Sequence, residues 1–248
     1  MPANERPEER SSDRPSERRS AARRSVVWDA LQPVFAGADG LEVLDIGGGT
    51  GGFAVRVAEL GHRVTVVDPS PDALAALDRR AREREVSVTG RQGELSSLVE
   101  TFGSASADVV LCHGVLEVVE DSSAALSVLA EVLRPGGTLS LLVAQRHAAV
   151  VARAMAGHFQ QARDLLDEAG QGRGGRRFTY DELLALLGSA GFGPTQVQAV
   201  RVFADLVPGS LLDLEPGATA ALVELERAVA GRPEYRPLAT QLHALASR

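Results

Sequence analysis

An apolar run from Leu41 to Ile46 ends in glycines at 47, 48, 49, 51 and 52, and Phe53-Ala54-Val55-Arg56-Val57-Ala58-Glu59-Leu60 then resumes at helical spacing. That order reads as strand, tight turn, helix. Glycines let the backbone approach a ligand with no side chain in the way. They also leave the helix N-terminus bare, so its unpaired N–H groups and positive dipole end can hold a carboxylate or phosphate. The turn is therefore the candidate ligand site, and the chain is organised around it.

The same alternation continues downstream. Residues 63–67 form a second strand ending at Asp68-Pro69-Ser70, with a helix over 72–85. A short strand over 86–89 leads to Gln92-Gly93-Glu94, and 108–113 is a fourth strand ending in His113. An amphipathic helix over 121–133 stops at Arg134-Pro135-Gly136-Gly137, and 138–144 is a buried fifth strand. Five strands alternating with helices imply a parallel sheet with right-handed crossovers. Beyond it the pattern predicts one helix over 146–169, a glycine-rich basic loop over 170–177, a helix from Phe178-Thr179 to Gly191, a strand over 195–203, a helix over 217–230 and a weak last strand over 240–247. Residues 1–19 hold five arginines, five acids and almost no apolar side chain, which predicts a disordered arm. A helix over 20–40 then precedes the first strand and can cap the pocket. One domain over 20–248 results, with a core over 41–145 and substrate-side elements over 146–248.

Composition narrows the partners. Net charge is −7, so no global basic field draws DNA, and any nucleic-acid contact must come from a local patch. All 26 basic residues are arginine. The single cysteine, Cys112, lies in an apolar run, is expected in the core, and fits a reducing cytoplasm. No apolar stretch reaches the length of a membrane span. No heptad pattern or long apolar patch indicates an oligomeric state.

Strand ends supply the candidate site residues, because ligands of open α/β sheets bind beyond the carboxyl ends of the strands near the switch in strand order. Asp68, after the second strand, suits ribose hydroxyls; as an alternative it caps the next helix, a role Ser70 can fill. Glu94 follows the third strand, where adenine-binding groups enter, and His113 ends the fourth. Arg176 and Arg177 in the basic loop can clamp an anionic substrate. The turn itself satisfies two patterns: Gly47-x-Gly49-x-x-Gly52, used for NAD by dehydrogenases, and Asp45-x-Gly47-x-Gly49-x-Gly51, used for S-adenosylmethionine by methyltransferases.

Asp45-Ile46-Gly47-Gly48-Gly49-Thr50-Gly51, Asp68, Asp108 and Leu133-Arg134-Pro135-Gly136-Gly137 together resemble the class I S-adenosylmethionine-dependent methyltransferases. The resemblance implies a Rossmann-like α/β fold, a seven-stranded mostly parallel sheet with helices on both faces, whose last strand inserts antiparallel between the fifth and sixth. His113-Gly114-Val115-Leu116-Glu117, Met155-Ala156-Gly157-His158-Phe159, Arg201-Val202-Phe203-Ala204-Asp205 and Leu225-Glu226 are similar to the bacterial tRNA 5-carboxymethoxyuridine methyltransferases. That narrower resemblance implies esterification of a carboxylate on a tRNA wobble uridine. It places cofactor contacts on Arg23, Asp45, Gly47, Gly48, Gly49, Gly51, Asp68, Pro69, Gln92, Gly93, Glu94 and His113. For a carboxylate acceptor, His113, Arg23 and Arg201 are positioning groups; for a phenol or amine acceptor of a small-molecule methyltransferase, His113 becomes the candidate general base.

Overall fold

The computed structural model describes residues 15–166, 175–212 and 216–248. Strands β1 (Glu42–Ile46), β2 (Arg63–Asp68), β3 (Val88–Gln92), β4 (Ala107–His113), β5 (Leu133–Ala144), β6 (Gly193–Val200) and β7 (Gln241–Ser247) form one sheet in the order β3-β2-β1-β4-β5-β7-β6. β1 to β5 pair in parallel, and β7 runs antiparallel to both β5 and β6. The seven-stranded, mostly parallel sheet matches the expectation, with the order reversing between β1 and β4.

The helices are α1 (Pro15–Ala36), α2 (Ala54–Ala58), α3 (Pro71–Glu83), α4 (Leu98–Phe102), α5 (Ser122–Val132), α6 (Arg146–Met155), α7 (Phe159–Leu166), α8 (Tyr180–Ser189), α9 (Gly209–Leu212) and α10 (Ala218–Ala230). α1, α2 and α3 bury Val27, Leu31, Val55 and Leu77 on one sheet face against Val43, Val109 and Leu111. α4, α5 and α8 bury Leu98, Leu126, Leu129 and Leu183 on the other against Leu44, Val110 and Leu141. Cys112 lies in that second core. Successive strand residues face opposite sides, so Asp45, His113, Ser140 and His243 share the α1 side, in phase with Val43, Leu111, Leu142 and Leu245.

Several boundaries differ from expectation for local reasons. α1 starts at Pro15, not at Ser20; proline favours a first helical turn, and Arg, Glu and Ala sustain one. Residues 15–19 are thus helical, while the rest of the expected arm lies outside the described residues. β3 starts at Val88 because Glu85 adopts φ 55 and Val86 N–H donates to Ala81 O, a closure that consumes the first residues of the expected strand. Gly157, at φ 76, with His158 N–H donating to Arg153 O, likewise splits the expected single helix into α6 and α7. β6 ends at Val200 rather than at Phe203, since the backbone N–H groups of Val202 and Phe203 turn to the side-chain carboxylate of Glu226.

Candidate cofactor and acceptor site

The glycine turn is built by what its missing side chains leave free. Gly47, Gly49 and Gly51 have φ values of 67, 56 and 76, a region that favours glycine. A Cβ on Gly48 would meet Asp45 Oδ2 at 2.5 Å, and one on Gly51 would overlap Leu77. The turn is tied to the neighbouring strand end by Asp68: Oδ2 accepts from Gly49 N–H at 2.9 Å and Oδ1 from Ser70 N–H at 2.9 Å. Ser70 caps α3 by accepting from Ala73 N–H, so the capping role falls to Ser70 and Asp68 braces the turn. Gln92 sits beside the turn. Its exposed side chain donates to Pro69 O at 3.2 Å, bracing β3 against β2, and is not among the residues bordering the two cavities described next.

Two cavities open at the C-terminal ends of the strands. The larger, about 750 Å³, is bordered by Asp68, Pro69, Gly93, Glu94, Leu95 and Val115; the smaller, about 360 Å³, by Arg23, Arg24, Asp45, Gly48, Thr50 and Arg80. Gly47 and His113 border both. Arg23, Asp45, Gly47, Gly48, Asp68, Pro69, Gly93, Glu94 and His113 therefore border one or both cavities, while Gly49 and Gly51 are in neither lining. Arg80 was not legible as a wall residue, having no motif of its own, and Thr50 was legible only as a spacer within the glycine turn.

Burial controls the charges here. Asp45 is fully enclosed, and desolvation with the nearby Asp68 raises its pKa to about 7, against the opposing pull of Arg23. Desolvation and the charge of Arg201 lower the pKa of Arg23, while Glu117 and Asp45 raise it. Burial, with His243 and Arg23, holds His113 neutral, well below its ordinary range. The Asp45 shift gives a stability prediction. Between the ordinary value of 3.8 and about 7, the unfolded chain releases this proton while the folded chain retains it, so this contribution falls as pH rises and is lost above about 7. Asp45→Asn removes the contribution: from pH 4.5 to 8, the urea-unfolding free energy of wild type should fall relative to the variant by roughly 2–4 kcal/mol. Parallel pH profiles would show the effect absent.

The basic residues beyond the turn divide. Glu117 Oε1 accepts from Ala144 N–H at 2.7 Å, and desolvation raises its pKa despite Arg23 and Arg177 nearby. Arg177 donates to Gly175 O and borders neither cavity. Arg176 is held at the start of the described part of that loop: its backbone N–H donates to Glu117 O, its guanidinium reaches Ser122 Oγ at 3.4 Å and it lies over Phe178. The other part of that loop, including Arg173, lies outside the described residues. Arg201, at φ 59, pairs with Asp205 at 2.6 Å, and Asp205 also accepts from Thr240 Oγ1. Behind it, buried Glu226 accepts from the N–H groups of Val202, Phe203 and Ala204 at 2.7 to 2.9 Å. Behind the site, Ser140 Oγ is bonded to His113 and also to His243; a lone histidine on a weak last strand gave no signal of it.

The pocket fits S-adenosylmethionine. An elongated ligand needs space on both sides of the turn, a side-chain-free backbone at its middle and a donor for its carboxylate. Gly47 borders both cavities, and buried Arg23 Nε has no hydrogen-bond partner among the described residues. Residues 44–141 match the family model described as a methyltransferase domain. The chain is also 30% identical over 240 residues to the tRNA 5-carboxymethoxyuridine methyltransferase of Escherichia coli (strain K12), an alignment covering 91% of this chain and 88% of that protein. The chain belongs to the S-adenosylmethionine-dependent methyltransferases.

The methyltransferase core is shared more widely than the rest. The ubiquinone biosynthesis O-methyltransferase of Xanthomonas campestris pv. campestris (strain B100) is 36% identical over 119 residues, 48% of this chain and 49% of that one. In fold, the methyltransferase resembles the magnesium protoporphyrin IX methyltransferase of Synechocystis PCC 6803 solved with bound SAH, with a TM-score of 0.60 at 19% identity, covering 93% of this chain and 83% of that one. Its cofactor is S-adenosylmethionine, so Gly47-x-Gly49-x-x-Gly52 does not signify a dehydrogenase here. Among the described residues no helix is long and apolar enough to cross a membrane, and no cluster of metal-binding side chains occurs.

Proposed function

We propose that this methyltransferase esterifies a carboxylate of a modified tRNA uridine in the bacterial cytoplasm. The carrying observation is Arg23 at the edge of the smaller cavity with its buried Nε unpartnered among the described residues, and with Arg201 and Glu117 acting on its charge while Arg177 acts on that of Glu117. Such a group of guanidiniums suits an anionic acceptor, and the Escherichia coli enzyme, 30% identical over 91% of this chain, is by name a methyltransferase of tRNA 5-carboxymethoxyuridine.

Asp68 would hold the cofactor ribose, Gly93 to Leu95 the adenine, and Arg23 with the amides after Gly47 the methionine carboxylate. When bound, the sulfonium cofactor supplies a methyl group already activated for displacement. The protein's task is alignment. A carboxylate is ionised at neutral pH and needs no base, so a neutral His113 serves it as a hydrogen-bonding partner. Arg201→Gln should raise the KM for the acceptor about tenfold while changing the Kd for S-adenosylmethionine less than about threefold. Steady-state kinetics with isothermal calorimetry separate the two.

Incubation with methyl-labelled S-adenosylmethionine and, separately, bulk tRNA and a small-metabolite extract tests the proposal. Label in tRNA supports it; label confined to metabolites supports a small-molecule methyltransferase instead, for which the Xanthomonas likeness covers only the cofactor half.

A further inference from the structure

His113 and His243 stand on β4 and β7 with β5 between them, and Ser140 on β5 joins them. Its Oγ lies 2.8 Å from Nε2 of His113 and 2.8 Å from Nε2 of His243. The rings meet edge to face with centroids 5.9 Å apart. Ser140 and His243 are fully buried, and Nδ1 of both rings is buried with no hydrogen-bond partner among the described residues. Only His113 borders the cavities.

A hydroxyl carries one hydrogen. Between two Nε2 atoms it can donate to one and must accept N–H from the other, because a buried hydroxyl with no further partner cannot spare its hydrogen elsewhere. If His243 donates through Nε2, Ser140 donates to His113, and His113 carries its hydrogen on Nδ1. If the chain runs the other way, His113 carries it on Nε2. In either direction the rings are opposite tautomers. We propose that His243, through Ser140, is a positioning residue that fixes the tautomer of His113 and so decides whether Nδ1 of His113 donates or accepts a hydrogen bond.

The surroundings support this role. Arg23 from α1 acts on both rings, and Asp45, Glu117 and Arg201 in turn act on Arg23. Burial and Arg23 bring His243 down to about 3, so both rings stay neutral and a tautomer can be defined. Phe53 packs edge to face on His113 at 5.0 Å and limits ring rotation. The functional meaning rests on His113 bordering the methyl-transfer site; the tautomer does not.

Nitrogen NMR of the uniformly 15N-labelled full chain, without acceptor, reads the tautomers directly, with assignment from His113→Asn and His243→Gln. The expected spectrum shows both rings neutral at pH 7, one protonated on Nδ1 and the other on Nε2. His243→Leu and Ser140→Ala should each release His113 into a mixture and lower kcat about tenfold, with the Kd for S-adenosylmethionine changed less than about threefold. His243→Gln, whose amide can donate or accept, and Ser140→Thr should restore most of kcat. Identical tautomers, a charged ring, or a His113 signal unchanged in both His243→Leu and Ser140→Ala would overturn the proposal. The spectrum needs no methyl acceptor, so its outcome is independent of the tRNA reading.

Discussion

Asp68→Ala should weaken S-adenosylmethionine binding by about a hundredfold, roughly 3 kcal/mol, which isothermal calorimetry can measure. The size follows from two losses. Asp68 lines the larger cavity, and its two oxygens accept the N–H groups of Gly49 and Ser70. Alanine therefore removes a wall group and also frees the turn. Asparagine should fare little better, because its NH₂ cannot accept from the second backbone N–H. Gln92→Ala is the contrast: that side chain braces Pro69 from the exposed side, and a change of less than about threefold is expected. Equal losses in the two variants would mean that the brace, not the wall, controls affinity.

The largest expected stability effect is at Glu226. Its carboxylate accepts three consecutive backbone N–H groups, from Val202, Phe203 and Ala204, and it is fully buried. Alanine leaves those donors with no acceptor in place, at a cost of about 4 kcal/mol in urea-unfolding experiments. The same carboxylate fixes the chain just after Arg201, whose positive φ needs surrounding restraint. Where Glu226→Ala still folds, its acceptor KM should therefore rise with that of Arg201→Gln. A loss below about 1 kcal/mol would show that water replaces the carboxylate.

The parts of the site carried by short-range pattern were legible in the sequence. Asp45 and the glycines lie within one turn, and Asp68, Glu94 and His113 each follow a strand end, so alternation alone converged them. The long-range partners were not. Ser140 and His243 read as unremarkable strand residues until β7 inserts beside β5, and the chain of bonds from His243 through Ser140 to His113 depends on that register. Glu226 reads as an ordinary helical acid; only the packing of α10 near the end of β6 turns it toward backbone donors. The contacts of Arg176 were equally illegible, since charge in a glycine-rich loop gives no sign of Ser122 or Phe178 as neighbours.

The chemistry of the transferred group tests the central claim most directly. Transfer-RNA labelled by this enzyme, digested to nucleosides and held in mild alkali, should release its label as methanol, because a carboxylate methyl ester is saponified while methyl groups on ring nitrogen, ring carbon or ribose oxygen are retained. Label that survives alkali would contradict a carboxylate acceptor, and with it the acceptor-binding role proposed for Arg177 and Arg201.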